Sequence, residues 1–385
     1  MKILFTTFNQ EGKGSFLRAL ALAKELAKLG HQLTVLCASS QNTFEDKSID
    51  DVRLICFPWG KRFLHGYNLS EVRARKRWLG KQRFDLVHAF DMRPSCAQPA
   101  FQAKRHGALM LSDWADLFGK GGSVEERSNP VARSILRPIE SYNERALRKK
   151  GVGVTCICSH LYNLAKKLSF SDEQILLLHN GFNQTINPRK NKLEARQYFG
   201  LSPDLPIAGS LGAFFSKDFQ LLTSAIEYCQ SQQNISFVHI GQGNAMLQNA
   251  NIIKTGRLSD TELSLALQAC DILLLPMADL PANHGRFPLK FSEYISAGRP
   301  VLATRIGDVP DFIEKYQCGY VTAPNPEDFA KTLLEAFEKP ADIEKYGQNA
   351  LSLSQEESFT WQSRAKQLNA FYETLLTNQK RDNPL

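Results

Sequence analysis

The side chains whose types and spacing suit chemistry gather in one short segment, HGRFPLKFSEYISAGRP, over positions 284–300. Pro288 suits a first helical turn, where its missing N–H costs no bond, and LKFSEYISAG reads as the helix that follows. A helix start offers free N–H groups and a partial positive charge, so it suits an anion. Gly285 lets backbone approach a ligand closely, and Arg286 and Lys290 add positive charge. Glu293 lies one turn beyond Leu289 on the same helix, and its carboxylate can accept one hydrogen bond from each hydroxyl of a diol. A surface helix glutamate is the alternative reading of that residue.

Other candidates are scattered along the chain. Gly12 and Gly14, in GKGSFL, either let backbone approach a ligand or simply make a tight turn. Lys217, in GSLGAFFSKDF, is either a ligand cation or a surface lysine at a helix start. Asp113 and Asp116, in LMLSDWADLFGKGG, either orient a hydroxyl and take its proton or cap a turn. His88, in FDLVHAFD, reads as a buried sheet residue. The spacing in DWAD is not the Asp-x-Asp arrangement that holds a metal, and no nucleophile stands with a base beside it. Neither a metal nor a cofactor is expected.

These residues need a scaffold, and the chain alternates strand and helix patterns. KILFTT is followed by a glycine turn, the amphipathic helix FLRALALAKELAKLG and the strand QLTVLCA, a βαβ unit. VRLICF, FDLVHAF, ALMLSD and VTCICS continue the series, which predicts a parallel, doubly wound sheet. After ILLLHNGFN the chain turns polar through QTINPRKNKLEARQYFGLSPDLP, read as a linker. The alternation restarts with PIAGSLGAF, ISFVHIG, NIIKTG, DILLLPM and PVLATR, and SFTWQSRAKQLNAFYETLL ends the chain as a helix able to cross back to the first domain. A chain of 385 residues suits two such domains with a cleft between them.

Composition excludes several classes. Hydrophobic residues at 43% and charged residues at 22% fit a globular protein. No apolar run reaches the ~20 residues that span a bilayer, and the first residues lack the apolar stretch of a signal peptide. Eight cysteines without a CxxC pair read as buried reduced thiols. The net charge of +8 gathers in KRFLHGYNLSEVRARKRWLGKQRF and RSNPVARSILRPIESYNERALRKK, either solvated helix faces or surfaces for an anionic membrane or acceptor. No nucleic-acid partner is expected.

The order of elements, the opening MKILFTTFNQEGKGSFLRALALAKELAKLGHQLTVLC, the segments FDLVHAFD, ILLLHNGFN and GQGN, and the blocks TGRLSDTELSLALQACDILLLP and FPLKFSEYISAGRPVLATRIGDVPDFI together resemble the group 1, GT4-like retaining glycosyltransferases of GT-B fold. The resemblance covers nearly the whole chain. It implies two Rossmann-like α/β domains facing across a cleft: residues 1–180 with a C-terminal helix at about 359–378, binding the acceptor, and residues 181–358, binding a nucleotide diphosphate-sugar. Amides around Arg286, Phe287, Pro288 and Leu289, with Gly285 and Lys290, would meet the pyrophosphate or sugar, and Glu293 the ribose. Lys217 takes the family's lysine position, Gly12 and Gly14 approach the donor, and backbone near Gly256, Arg257 and Leu258 meets the base. The acceptor would be a glycan or lipid-linked, in cell-envelope polysaccharide or glycolipid synthesis, at a cytoplasmic site that can include the inner face of an anionic membrane.

The chain departs from the family's pattern in three places. Gly285 stands where an acid seven residues before Glu293 would touch the donor sugar. Ala213, Phe214 and Phe215 fill the region of a donor-binding arginine. Asp113 and Asp116 replace a histidine near the sugar. A catalytically degenerate binding or scaffold subunit is the second reading these departures motivate. A nicotinamide-dependent oxidoreductase is disfavoured, since GKGSFL lacks a third glycine and no acid ends QLTVLCA.

Overall fold

The computed structural model describes residues 1–60, 65–183, 192–241, 252–256 and 258–382. The chain divides into two compact units, Met1–Asn180 with Trp361–Leu385, and Gly181–Thr360. No helix among the described residues is long and apolar enough to cross a membrane.

The first unit holds an eight-stranded sheet of β1 (Lys2–Gln10), β2 (Gln32–Ala38), β3 (Glu45–Ile49), β4 (Val52–Phe57), β5 (Leu86–Ala89), β6 (Leu109–Trp114), β7 (Gly153–Cys156) and β8 (Ile175–Leu177). Its spatial order is β3-β4-β2-β1-β5-β6-β7-β8, with all neighbours parallel except β3 and β4. The central strands are continuous apolar runs because helices cover both faces. Sequence reading missed β3: EDKSI is polar and lies at the sheet edge, where no apolar alternation is required. All eight cysteines are buried and unbridged.

The terminal helix Trp361–Asp382 belongs to this first unit. Its Tyr372 hydroxyl meets His88 Nδ1 at 2.7 Å, and its Asn369 Oδ1 meets His31 Nε2 at 2.7 Å. His88 is a core residue, its other ring nitrogen 3.2 Å from Thr155 Oγ1. Burial, the largest influence, pushes its imidazole down to about 4.

The second unit holds six parallel strands, β9 (Ile207–Leu211), β10 (Ser236–Ile240), β11 (Ile252–Lys254), β12 (Ile272–Leu275), β13 (Val301–Thr304) and β14 (Gly319–Thr322). They are ordered β11-β10-β9-β12-β13-β14, so the winding reverses between β9 and β12. One side of the sheet packs on Leu222, Ile226, Phe329 and Leu333 of the helices Ser216–Gln232 and Pro326–Phe337. The linker expectation needs correcting in part. Residues 184–191 lie outside the described residues, but Lys192–Tyr198 is a helix of the second unit. Its Arg196 is buried against Asp271 at 2.7 Å and the Ala269 carbonyl at 3.1 Å.

Candidate active site

In open parallel sheets ligands bind beyond the carboxyl ends of the strands where the winding reverses. The predicted segment arrives there. The short helix Pro281–His284 and the helix Leu289–Ser296 follow β12, and the link between them faces the loop after β9. A small cavity of about 40 Å³ lies at this point, lined by Phe214, Asp218, Leu275, Met277, Arg286 and Lys290 among others.

Pro288 caps the helix from outside its first turn and contributes no N–H, so only its neighbours can serve an anion. The amides of Leu289 and Lys290 donate to no group among the described residues, whereas the Phe291 amide is spent on the Pro288 carbonyl at 3.0 Å. Gly285 has an ordinary φ of −82°, so its glycine is not demanded by backbone conformation. Phe287 anchors the segment through its side chain. Its ring is buried, 5.6 Å from Phe291 and 5.4 Å from Phe312, and holds the segment down.

The missing arginine has a structural answer. Lys290 Nζ reaches back to the Ala213 carbonyl at 2.6 Å and sits 3.5 Å from the centre of the Phe214 ring. The Arg286 guanidinium stacks 3.9 Å from the centre of the Phe215 ring. Two cations from one helix start therefore lie on the two aromatic residues that stand where the family's arginine would be. Burial, then repulsion from Arg286, pushes the Lys290 amine down to about 7. Lys217 is exposed at the start of the helix Ser216–Gln232 and makes no ion pair among the described residues.

Asp218, which sequence reading passed over, organises this corner. Its buried carboxylate accepts from the Ala278 amide at 2.8 Å and Asn283 Nδ2 at 2.7 Å. Asn283 in turn accepts from Arg286 Nη1 at 3.1 Å, and Arg286 Nη1 lies 3.8 Å from Asp218. The only local signal is an acid in the first turn of a helix, which a cap would explain equally well.

Glu293 is half-buried on the helix Leu289–Ser296, and its carboxylate has no hydrogen bond or ion pair among the described residues. Burial, with the Asp260 carboxylate as a lesser influence, pushes it up to about 7. Asp260 opens the helix Asp260–Ala269, immediately after Leu258 and the capping residue Ser259. Leu258 is half-buried, and Arg257 lies outside the described residues.

In the first unit Gly12 and Gly14 have φ of 76° and 52°, so both make the turn that glycine favours. A Cβ on Gly14 would come within 2.7 Å of Asn9 Nδ2, which donates to Ser15 Oγ at 2.8 Å. Asp113 does not fit the role of a base for an acceptor. It is buried with both oxygens on Arg18 Nε at 3.3 and 3.1 Å, and Thr155 Oγ1 donates to it at 2.5 Å. Burial alone would raise the Asp113 carboxyl, but Arg18 overcomes this and holds it below the usual carboxylate range. Asp116 is half-buried in the bend after β6 and is already engaged with other groups. Arg18 was missed although it carried a signal, a charge at the helix face shared with Leu22 and Leu26.

Comparison with known proteins now decides the family. A model described as Glycosyltransferase Family 4 matches residues 13–185, and one described as Glycosyl transferases group 1 matches residues 203–339. The chain belongs to the group 1 glycosyltransferases. This group 1 chain is 24% identical over 236 residues to TuaH of Bacillus subtilis (strain 168), named for teichuronic acid biosynthesis, covering 57% of this chain and 56% of that protein. It is 21% identical to N-acetyl-alpha-D-glucosaminyl L-malate synthase of Bacillus anthracis, over 83% of each chain. Among solved structures, sucrose-phosphate synthase of Thermosynechococcus elongatus superposes with a TM-score of 0.79 at 17% identity, covering 98% of this chain and 100% of that one. The fold is GT-B.

Proposed function

We propose that this group 1 chain transfers a sugar, with retention of anomeric configuration, from a nucleoside diphosphate-sugar to a hydroxyl of a glycan or lipid-linked acceptor in cell-envelope polysaccharide or glycolipid synthesis. One observation carries the donor reading. Two amides at a helix start that are unspent among the described residues stand beside Lys290, and Glu293, with no hydrogen bond or ion pair among the described residues, lies one turn further along the same helix. The amides and Lys290 take the diphosphate, and Glu293 takes the ribose diol. The names of the Bacillus relatives support a sugar-transfer role.

In the reaction the C1–O bond to the diphosphate breaks and its electron pair leaves with the nucleotide. The acceptor oxygen bonds to C1 on the same face and gives its proton to the departing phosphate oxygen. The residues of this chain stabilise the growing negative charge: the amides of Leu289 and Lys290, the Lys290 amine and the Arg286 guanidinium. No protein nucleophile takes part, and Asp113 remains in its ion pair.

Thermal shift against UDP, GDP and ADP and their sugars tests donor binding, since a ligand held only by the native state raises its melting temperature. A rise with one nucleoside diphosphate is expected, and no rise with any of them defeats the reading. NMR of the product tests retention, and an inverted anomer would overturn it. The departure at Gly285 favours a binding subunit as the second reading. Donor binding without transfer or hydrolysis of any bound sugar is its signature.

A further inference from the structure

The helix Pro130–Tyr142 is built inside out. Its one buried residue is an acid, Glu140, whose carboxylate pairs with Arg93 at 3.0 Å. Four of its large apolar side chains face outward instead, with Leu136 half-buried: Val131 is 67% exposed, Ile135 58%, Ile139 41% and Tyr142 58%. They occupy positions i, i+4, i+8 and i+11, an arc of about 80° at roughly 100° per residue. A helix in a globular protein ordinarily turns that stripe to the core. This one turns it to the surroundings, and Asn129 caps its start by accepting from the Val131 and Ala132 amides at 3.0 and 3.1 Å.

The exposed charges near the stripe in sequence are of one sign. Between residues 120 and 150 the exposed charged residues are Lys120, Arg137, Arg145, Lys149 and Lys150, all basic. The acids of this stretch are withdrawn: Glu140 and Glu144 are buried, and Glu125 and Glu126 are half-buried, Glu125 in an ion pair with Arg137 at 2.6 Å. An aliphatic stripe with one tyrosine, followed at its C-terminal end by the exposed Arg145, Lys149 and Lys150, which make no ion pair among the described residues, complements an anionic bilayer surface. The side chains enter the acyl boundary while arginine and lysine meet the headgroups. A protein partner would need acids matched to each cation, whereas a lipid surface supplies negative charge at any register.

We infer that the helix Pro130–Tyr142 docks this chain on an anionic lipid membrane, with Val131, Ile135, Ile139 and Tyr142 inserted and Arg145, Lys149 and Lys150 on the headgroups. This surface lies in the first unit, and its inference is independent of the donor reading.

Co-sedimentation of the full chain with vesicles tests it, using equal parts phosphatidylglycerol and phosphatidylcholine against phosphatidylcholine alone. Binding is expected to the anionic vesicles only, and to weaken with salt. The double variant Ile135→Glu with Ile139→Glu should bind about tenfold or more weakly, as should the triple variant Arg145→Gln, Lys149→Gln and Lys150→Gln. Both variants should keep the wild-type melting temperature, because the changed side chains are exposed. Absent or equal binding to the two vesicle types overturns the inference, as does undiminished binding of the Glu variant. A dimer in solution that the Glu variant dissociates also overturns it, because a second copy would then cover the face.

Discussion

Two sets of charge, one buried in the first unit and one half-buried in the second, differ in what they lack. In the first unit Arg18 and Asp113 spend their capacity on each other and on Thr155, Asn180 and the Leu178 carbonyl. In the second unit Glu293 has no partner among the described residues, and Lys290 holds one carbonyl and an aromatic face. Burial acts on both sets. It is offset in the first, where Asp113 stays below the usual carboxylate range, and not in the second, where Glu293 and Lys290 both move to about 7. A satisfied charge network is architecture, while a desolvated charge with few partners among the described residues is a candidate for ligand binding.

The comparison breaks most visibly at Asp113. Asp113→Ala leaves Arg18 buried and uncompensated, which should cost about 3–5 kcal/mol of stability. Chemical denaturation measures this, and calorimetry on the folded fraction should find nucleotide binding unchanged. A stable Asp113→Ala that loses transfer activity would return the residue to the chemistry.

Glu293→Ala should do the opposite. Losing the net worth of even one charge-assisted hydrogen bond to a diol, about 1.5–3 kcal/mol, should weaken nucleotide affinity by roughly tenfold to a hundredfold. The unliganded variant should be as stable as the wild type or more so near neutral pH. The sign follows from the raised carboxyl: it costs nothing below the unfolded value near 4.5, and its penalty grows as pH rises through about 7. Unchanged calorimetric affinity removes Glu293 from the site.

The smallest effect sharpens the comparison through protons. Lys290 is lowered from 10.5 to about 7, so its penalty is full below 7 and fades as pH rises towards 10.5. A bound diphosphate should recharge it, so binding at pH ~8 should take up a proton. Calorimetry in buffers of different ionisation enthalpy reads that uptake, which Lys290→Met should abolish. Equal uptake in the variant would mean that the proton goes elsewhere.

Much of the scaffold was legible because periodicity and punctuation are local. The apolar strands, the helix FLRALALAKELAKLG and the glycine turn needed only sequence neighbours. The polar edge strand β3 and the helix Lys192–Tyr198 were not legible, since each is held by partners far along the chain. Among site residues, Lys290 and Glu293 stood in a readable motif. Asp218 and Arg18 did not, because their partners lie 60 or more and 95 or more residues away in sequence.

The sequence by itself determined that two α/β units would form and that Lys290 and Glu293 would share one helix at its start. Only tertiary structure decided which charges were already spent. Asp113 and Asp116 look alike in LMLSDWADLFGKGG, yet folding carries Arg18 onto the first. Phe287 and Phe214 are both aromatic neighbours of cations in sequence or space, yet one is buried among Phe291 and Phe312 while the other carries Lys290 on its ring. Whether a charge has a partner depends on distances between chain segments, and local sequence does not encode those distances.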